Sequence, residues 1–205
     1  MIHTRSCRAI ALILAVAGLA GCSLFPSRAP EILTDHDFGP LRTHAAPPGV
    51  PPVIVRARSA PWLSGTTIRY RLLYKDPTAI HVYAQNRWIA PPAALLEARI
   101  RWRLGAAPLS GAKPPDQVDR LVIVLSRFDQ DFTAPRRAFV RFTASARLYD
   151  VATGALIARK TVDLRRPCAP DAEGAVTGLS RLARMASAAF AGLAARGGRV
   201  KDPVP

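Results

Sequence analysis

Twenty-nine Lys and Arg against 14 Asp and Glu give the 205-residue chain a formal net charge of +15, and 49% of its residues are hydrophobic. A balance so basic ordinarily raises nucleic acid as a partner. The amino-terminal residues read as an export signal, which argues against it and leaves the charge as a pointer to a membrane or to acidic partners. Anionic lipid headgroups are the more natural counterpart, each Lys or Arg near such a surface contributing about 1 kcal/mol. The preponderance of Arg, 25 against 4 Lys, in a chain rich in Ala and Pro is credited mostly to GC-rich coding.

Met1 to Arg8 is short and cationic, and Ala9 to Ala20 is almost purely apolar. These are the n-region and h-region of a secretory signal, closed by a small-residue site. That site, Leu19-Ala20-Gly21-Cys22, resembles the cleavage box of bacterial lipoprotein signals. The resemblance implies diacylation of the Cys22 thiol, cleavage before Cys22 and acylation of the new amino terminus. A transmembrane anchor is the competing reading, but roughly 12 apolar residues fall short of the ~20 that span a bilayer. Three acyl chains hold a protein firmly where one binds only marginally. In enterobacteria an Asp after the lipidated Cys retains a lipoprotein in the inner membrane. Ser23 stands there instead, so the expected address is the outer membrane, facing the periplasm.

Loss of the signal peptide, residues 1–21, leaves 184 residues, and without Arg5 and Arg8 the formal charge becomes +13. That length suits one ordinary domain plus a tether. Cys7 departs with the signal and Cys22 is alkylated, so Cys168 stands alone. No intramolecular disulfide is available in an oxidising periplasm, and Cys168 is expected to be inert and half-buried.

Residues 22–32, with Pro26 and Pro30, read as the lipidated tether. A short strand is expected within Ile32 to Leu41. Arg42 to Pro52 holds Pro47, Pro48, Pro51 and Pro52 and reads as a loop. Val53 to Ala57 is a β-branched run suited to a buried strand. Ile68, Tyr70, Leu72 and Tyr74 fall on one side of a second strand, with Arg69 and Arg71 on the other. His81 to Ala90 is a third extended segment, stopped by Pro91-Pro92. A helix follows from Pro92, with Leu96, Ile100 and Leu104 at i+4 spacing and Arg99, Arg101 and Arg103 facing elsewhere.

Leu121 to Leu125 is apolar on both faces, as in a central strand. From 139 to 148 the chain alternates, with Val140, Phe142, Ala144, Ala146 and Leu148 inward and Phe139, Arg141, Thr143, Ser145 and Arg147 outward. Asp150 to Gly154 turns, and Leu156 to Leu164 returns as the hairpin partner. A last helix runs from about Ala172 to Ala195. Its apolar stripe is Val176, Leu179, Ala183, Ala186, Phe190 and Leu193, its wet side carries Arg181 and Arg184, and Gly197-Gly198 stops it. With the short first strand set aside, the order β-β-β-α-β-β-β-α predicts an α+β fold: a single mixed or antiparallel sheet with two helices on one face. Residues 33–196 form the domain and 197–205 a flexible tail.

Catalytic groupings are sparse. His3, His36, His44 and His81 show no metal-ligand spacing. Asp129 and Asp131, two apart on a strand, share a face, but no His or third acid accompanies them, and a solvated strand end is the expectation. Gly178-Leu179-Ser180 is not a nucleophile elbow, since the second Gly is missing and Ser180 lies inside the last helix. No glycine loop cradles phosphate. The expectation is a non-enzyme with no cofactor beyond the covalent lipid on Cys22. Trp62 and Trp88 lie where strands meet prolines, each either a core residue or an exposed anchor in a partner interface.

Pro61-Trp62-Leu63, Ile68-Arg69-Tyr70-Arg71-Leu72 and above all Tyr83-Ala84-Gln85-Asn86-Arg87-Trp88-Ile89-Ala90-Pro91-Pro92 resemble the auxiliary lipoproteins of ABC-type transport systems, the PqiC-like family. Asp37 to Leu41 resembles their first strand and Leu121 to Phe132 their central one, so the likeness spans roughly residues 33–195. It implies an accessory role. Such lipoproteins accompany MCE-domain proteins that bridge the envelope and carry lipids or other apolar molecules. The chain would then sit under the outer membrane, dock the MCE assembly and form a homo-oligomeric ring. The resemblance carries no catalytic residues, and leaves open whether Tyr83 to Pro92 serves folding or docking. Two other classes compete. One is a structural envelope lipoprotein binding peptidoglycan or an outer-membrane assembly machine. The other is a lipoprotein hydrolase, for which no nucleophile constellation is present.

Overall fold

The computed structural model describes residues 32–41, 52–105 and 118–197, so the signal peptide, Cys22, the Pro-rich loop after Leu41 and the end of the tail lie outside the described residues. The strands are β1 (Thr34–His36), β2 (Val53–Ser59), β3 (Thr67–Leu72), β4 (Asp76–Trp88), β5 (Asp119–Ala134), β6 (Arg137–Asp150) and β7 (Leu156–Cys168). Helices α1 (Pro92–Arg103) and α2 (Ala172–Gly197) complete the α+β fold. The strands form one mixed sheet in the order β1-β4-β3-β5-β6-β7, with β2 also paired to β5. Pairing is parallel for β1 with β4 and for β2 and β3 with β5, and antiparallel elsewhere. Several strands exceed their expected lengths, most of all β4, which starts at Asp76, β5, which runs from Asp119 to Ala134, and β7, which runs to Cys168.

The two helices touch one another and cover one face of the sheet, α1 over β2 and α2 over β5, β6 and β7. Leu121, Ile123, Leu125, Val140, Phe142 and Leu148 point into this layer and are buried against Leu96, Ile100, Leu179, Leu182 and Phe190. The alternation in β6 therefore follows the 2-residue period of a half-buried strand. Phe139, expected to face solvent, is buried on the other side, because the Arg165 guanidinium lies 3.4 Å from its ring centroid. Arg99 departs from expectation as well. It is only 7% exposed, and donates to the carbonyls of Phe38 and Gly39. Burial, with Arg184 next in weight, lowers its pKa.

Central strand β5 changes phase halfway. Leu125 pairs with Ala144 and Arg127 with Thr143, so Ser126 is an extra residue and forms a β-bulge. Before it the odd residues face the helices; after it Phe128, Gln130 and Phe132 do, and Arg127, Asp129 and Asp131 turn to the uncovered face. The same point divides the neighbours on one side. β2 pairs with β5 as far as Leu125, a 3-10 turn at Pro61–Leu63 intervenes, and β3 rejoins at Gln130. The free edge of β2 is closed where Glu97 of α1 accepts from the Ala57 N–H at 2.8 Å, which blunts an open strand edge.

The segment Tyr83 to Pro92 serves the fold. The Tyr83 hydroxyl donates to Gln130 Oε1 at 2.5 Å. Asn86 Oδ1 bonds the His36 ring at 2.8 Å, and Arg87 pairs with Asp35 at 2.6 Å. Both contacts fasten β1 to β4. Trp88 is 1% exposed, edge-on to Phe38 at 5.3 Å and tilted on Phe128 at 5.5 Å. Pro91 and Pro92 then start α1.

Candidate binding site on the uncovered sheet face

Arg127, Asp129 and Asp131 alternate along the second half of β5, so all three side chains project from the uncovered face. Arg71 of β3 and Arg141 of β6 stand beside Asp131 and Asp129 in the ladder. Arg127 Nε reaches Asp129 Oδ1 at 3.0 Å and its Nη2 reaches Asp131 Oδ2 at 2.6 Å. Arg71 Nε completes Asp129 at 3.3 Å and its Nη1 donates to the Pro77 carbonyl at 3.2 Å. Arg141 leans toward Asp163 of β7 at 3.7 Å.

The expected solvated strand end is thus a packed lattice, in which Asp129 is 6% and Asp131 0% exposed. Burial raises the pKa of Asp131, the Asp129 charge adds to the rise, and Arg127 opposes it. Burial works to lower the Arg127 pKa, but the pull of Asp129 and Asp131 outweighs it and holds it above its ordinary value. Three of the four carboxylate oxygens accept from guanidinium groups. Asp131 Oδ1 and Arg141 Nε are buried without a hydrogen-bond partner, a donor and an acceptor left for something else to satisfy.

Beside the lattice lies an open cleft of 610 Å³. Arg69, Arg71, Arg127 and Arg141 line its polar side, and Leu73, Pro77 and Ile80 its apolar wall. The 3-10 turn projects Trp62 over the rim, 57% exposed. Ser64 caps that turn through its hydroxyl to the Pro61 carbonyl at 2.7 Å. An apolar wall facing a row of guanidinium donors suits a ligand or peptide with an apolar body and anionic or carbonyl acceptors.

The two tryptophans separate here. Trp88 is a core residue, which corrects the interface reading for it: its ring is enclosed by Phe38 and Phe128 and offers no surface. Trp62 sits at the cleft. Cys22 lies outside the described residues. Cys168, half-buried, receives a bond from Gln130 Nε2 at 3.2 Å, and burial pushes its thiol pKa up. Ser180 is buried in α2 and donates to the Asp37 carbonyl at 3.3 Å. Sequence reasoning missed Arg71, Arg127 and Arg141. The signal was the Arg-x-Asp-x-Asp alternation at 127–131, which sets cation and acids on one face of a strand.

No protein-family model matches the chain, and no curated protein matches it. Solved structures do share the fold. A Xanthomonas campestris protein of the DUF330 family superposes with a TM-score of 0.62 at 18% identity, over 76% of this chain and 92% of that one. An uncharacterised protein superposes with a TM-score of 0.55 at 15% identity, over 72% and 94% of the two chains. A Caulobacter crescentus structure described provisionally as a lipoprotein reaches 0.43 at 18% identity, over 54% and 85%, too slight a likeness to bear on this chain.

Proposed function

We propose that the chain is a non-enzymatic lipoprotein of the outer membrane, anchored through lipid on Cys22 and facing the periplasm. In this reading it docks an MCE-domain protein of an ABC-type transport system that carries lipid between membranes, and it assembles with copies of itself. The observation that carries the docking role is Trp62, presented at the rim of a cleft whose floor is a preformed Arg71–Asp129–Arg127–Asp131 lattice. Exposed Trp beside ordered Arg is the composition of an interface hot spot. The lattice residues hold one another's charges, which suits recognition by shape and hydrogen bonding better than proton transfer. The Leu19-Ala20-Gly21-Cys22 box supports the address, and the fold shared with the DUF330 protein is compatible with the family resemblance.

The test is affinity purification of the tagged chain from detergent-solubilised envelopes. An MCE-domain protein should be recovered with the native chain and lost with Trp62→Ala. Its absence under conditions that keep envelope complexes intact would end the proposal.

A further inference from the structure

At the far end of the uncovered face from the cleft, the sheet opposes like charges. Arg147 of β6 pairs directly across from Arg159 of β7. On the other side of Arg147 stands Val122 of β5, which in turn pairs with Arg56 of β2. Arg120 lies diagonal to Arg147 on the same face. Strands are spaced about 4.8 Å apart, so the row from Arg56 to Arg159 is about 14 Å long. Arg56 has Glu97 at 3.6 Å. Among the described residues, neither Arg147 nor Arg159 has a carboxylate partner, and both are exposed.

Directly opposed like charges destabilise a sheet. The fold answers this elsewhere. Arg141 and Arg165 also face each other, but Asp163 takes up Arg141 and the Phe139 ring takes up Arg165. Among the described residues the pair Arg147–Arg159 receives no such answer, which leaves it open to a counter-charge from outside the domain.

We propose that this end of the face is a docking surface for an anionic phospholipid membrane, with headgroup phosphates seated among Arg120, Arg147 and Arg159. Guanidinium groups match phosphate oxygens two at a time. Val122 and Val124 of β5 share that face beside Arg120 and Arg147, so the guanidinium groups stand among apolar side chains. A lipid surface, which offers phosphates above hydrocarbon, therefore fits better than an acidic protein segment. The inference rests on the envelope address proposed above in one respect: lipid on Cys22 keeps headgroups within reach, since the chain from Cys22 to Leu33 extends at most about 40 Å.

The experiment titrates the full chain, purified from membranes in mild detergent, with mixed micelles of phosphatidylglycerol or of phosphatidylcholine. Phosphatidylglycerol should bind in preference and should be released by added salt. Arg147→Ser combined with Arg159→Ser should weaken that binding about 25-fold, each arginine being worth about fivefold near an anionic surface. The double variant should melt no lower than the native chain, which separates lost binding from lost folding. Arg120→Ser gives a second, milder variant of the same sign. Equal binding of the two lipids, or undiminished phosphatidylglycerol binding by the double variant, would overturn the proposal. So would a double variant that keeps the lipid and loses an acidic protein partner instead. Recovery of the MCE protein is read separately from Trp62→Ala, so either idea can fail while the other stands.

Discussion

The Tyr83 hydroxyl of β4 donates to the side-chain carbonyl of Gln130, a residue with no exposure on β5. The Gln130 amide in turn donates to the Ala169 carbonyl at 2.8 Å and the Asp171 carbonyl at 3.3 Å. One glutamine thereby ties the β3–β4 hairpin to the entry of α2. Tyr83→Phe leaves Gln130 Oε1 buried without its donor, at an expected cost of about 1–2 kcal/mol. Thermal unfolding should show a melting point lower by a few degrees, and an unchanged one would show that water replaces the hydroxyl.

Burial of the same hydroxyl sets a pH dependence. Burial foremost, with the neighbouring Tyr70, raises the Tyr83 pKa well above its ordinary 10.0. A raised acid holds its proton better in the folded state than in the unfolded one. Its contribution is therefore whole below pH 10 and is lost as pH climbs beyond it. Denaturant midpoints taken across the alkaline range should fall for the native chain and fall less steeply for Tyr83→Phe.

Trp62→Ala and Trp88→Ala should part company. Trp88 fills the core between Phe38 and Phe128, and its truncation should cost about 3–5 kcal/mol. Trp62 is mostly solvated, and its loss should stay within about 0.5 kcal/mol. Denaturant unfolding reads the first effect and partner recovery the second.

Arg127 holds two carboxylates at once. Arg127→Ala strands Asp131 as a buried charge beside Asp129, and roughly 2–3 kcal/mol of stability should go, less than the ~3–5 kcal/mol of a fully buried pair because Arg127 is itself a third exposed. Asp131→Asn removes the buried charge along with its bond and should cost less. Equilibrium unfolding of the two variants gives the order, and the reverse order would show that the lattice repacks around the lost cation.

Two helix glycines make an internal control. A Cβ on Gly174 would collide with the Ala169 backbone carbonyl. Nothing lies within 4 Å of one on Gly192. Gly174→Ala should destabilise by at least about 1–3 kcal/mol, and Gly192→Ala should stabilise by about 0.5–1 kcal/mol through helix propensity. Melting curves of both variants decide the matter.

Much of this architecture was legible because its elements obey one period each. The β6 alternation, the Leu96–Ile100–Leu104 spacing and the α2 stripe each state a buried face directly. The lattice was not legible. Asp129 and Asp131 read as a solvated strand end in the sequence because Arg71, which completes Asp129, comes from β3, and Arg141, which stands beside it, from β6, and no local pattern reports neighbours across strands. Arg99 misled for a related reason: its guanidinium satisfies carbonyls 60 and 61 residues earlier in the chain. Tyr83 to Pro92 was conspicuous as a motif but silent on its purpose, which only the contacts to His36, Asp35 and Gln130 supply.

The extra residue at Ser126 also bears on how such a chain tolerates deletions. Leu125 already pairs with Ala144 and Arg127 with Thr143, so loss of the Ser126 codon would close the bulge, restore plain alternation and leave Phe128, Gln130 and Phe132 on the helix side. Loss of a residue elsewhere in β5 is a different matter, because one half of the strand would then present every side chain to the opposite face. Such a deletion would act as a frameshift in space, turning half of the central strand inside out, while one at the bulge would only straighten it.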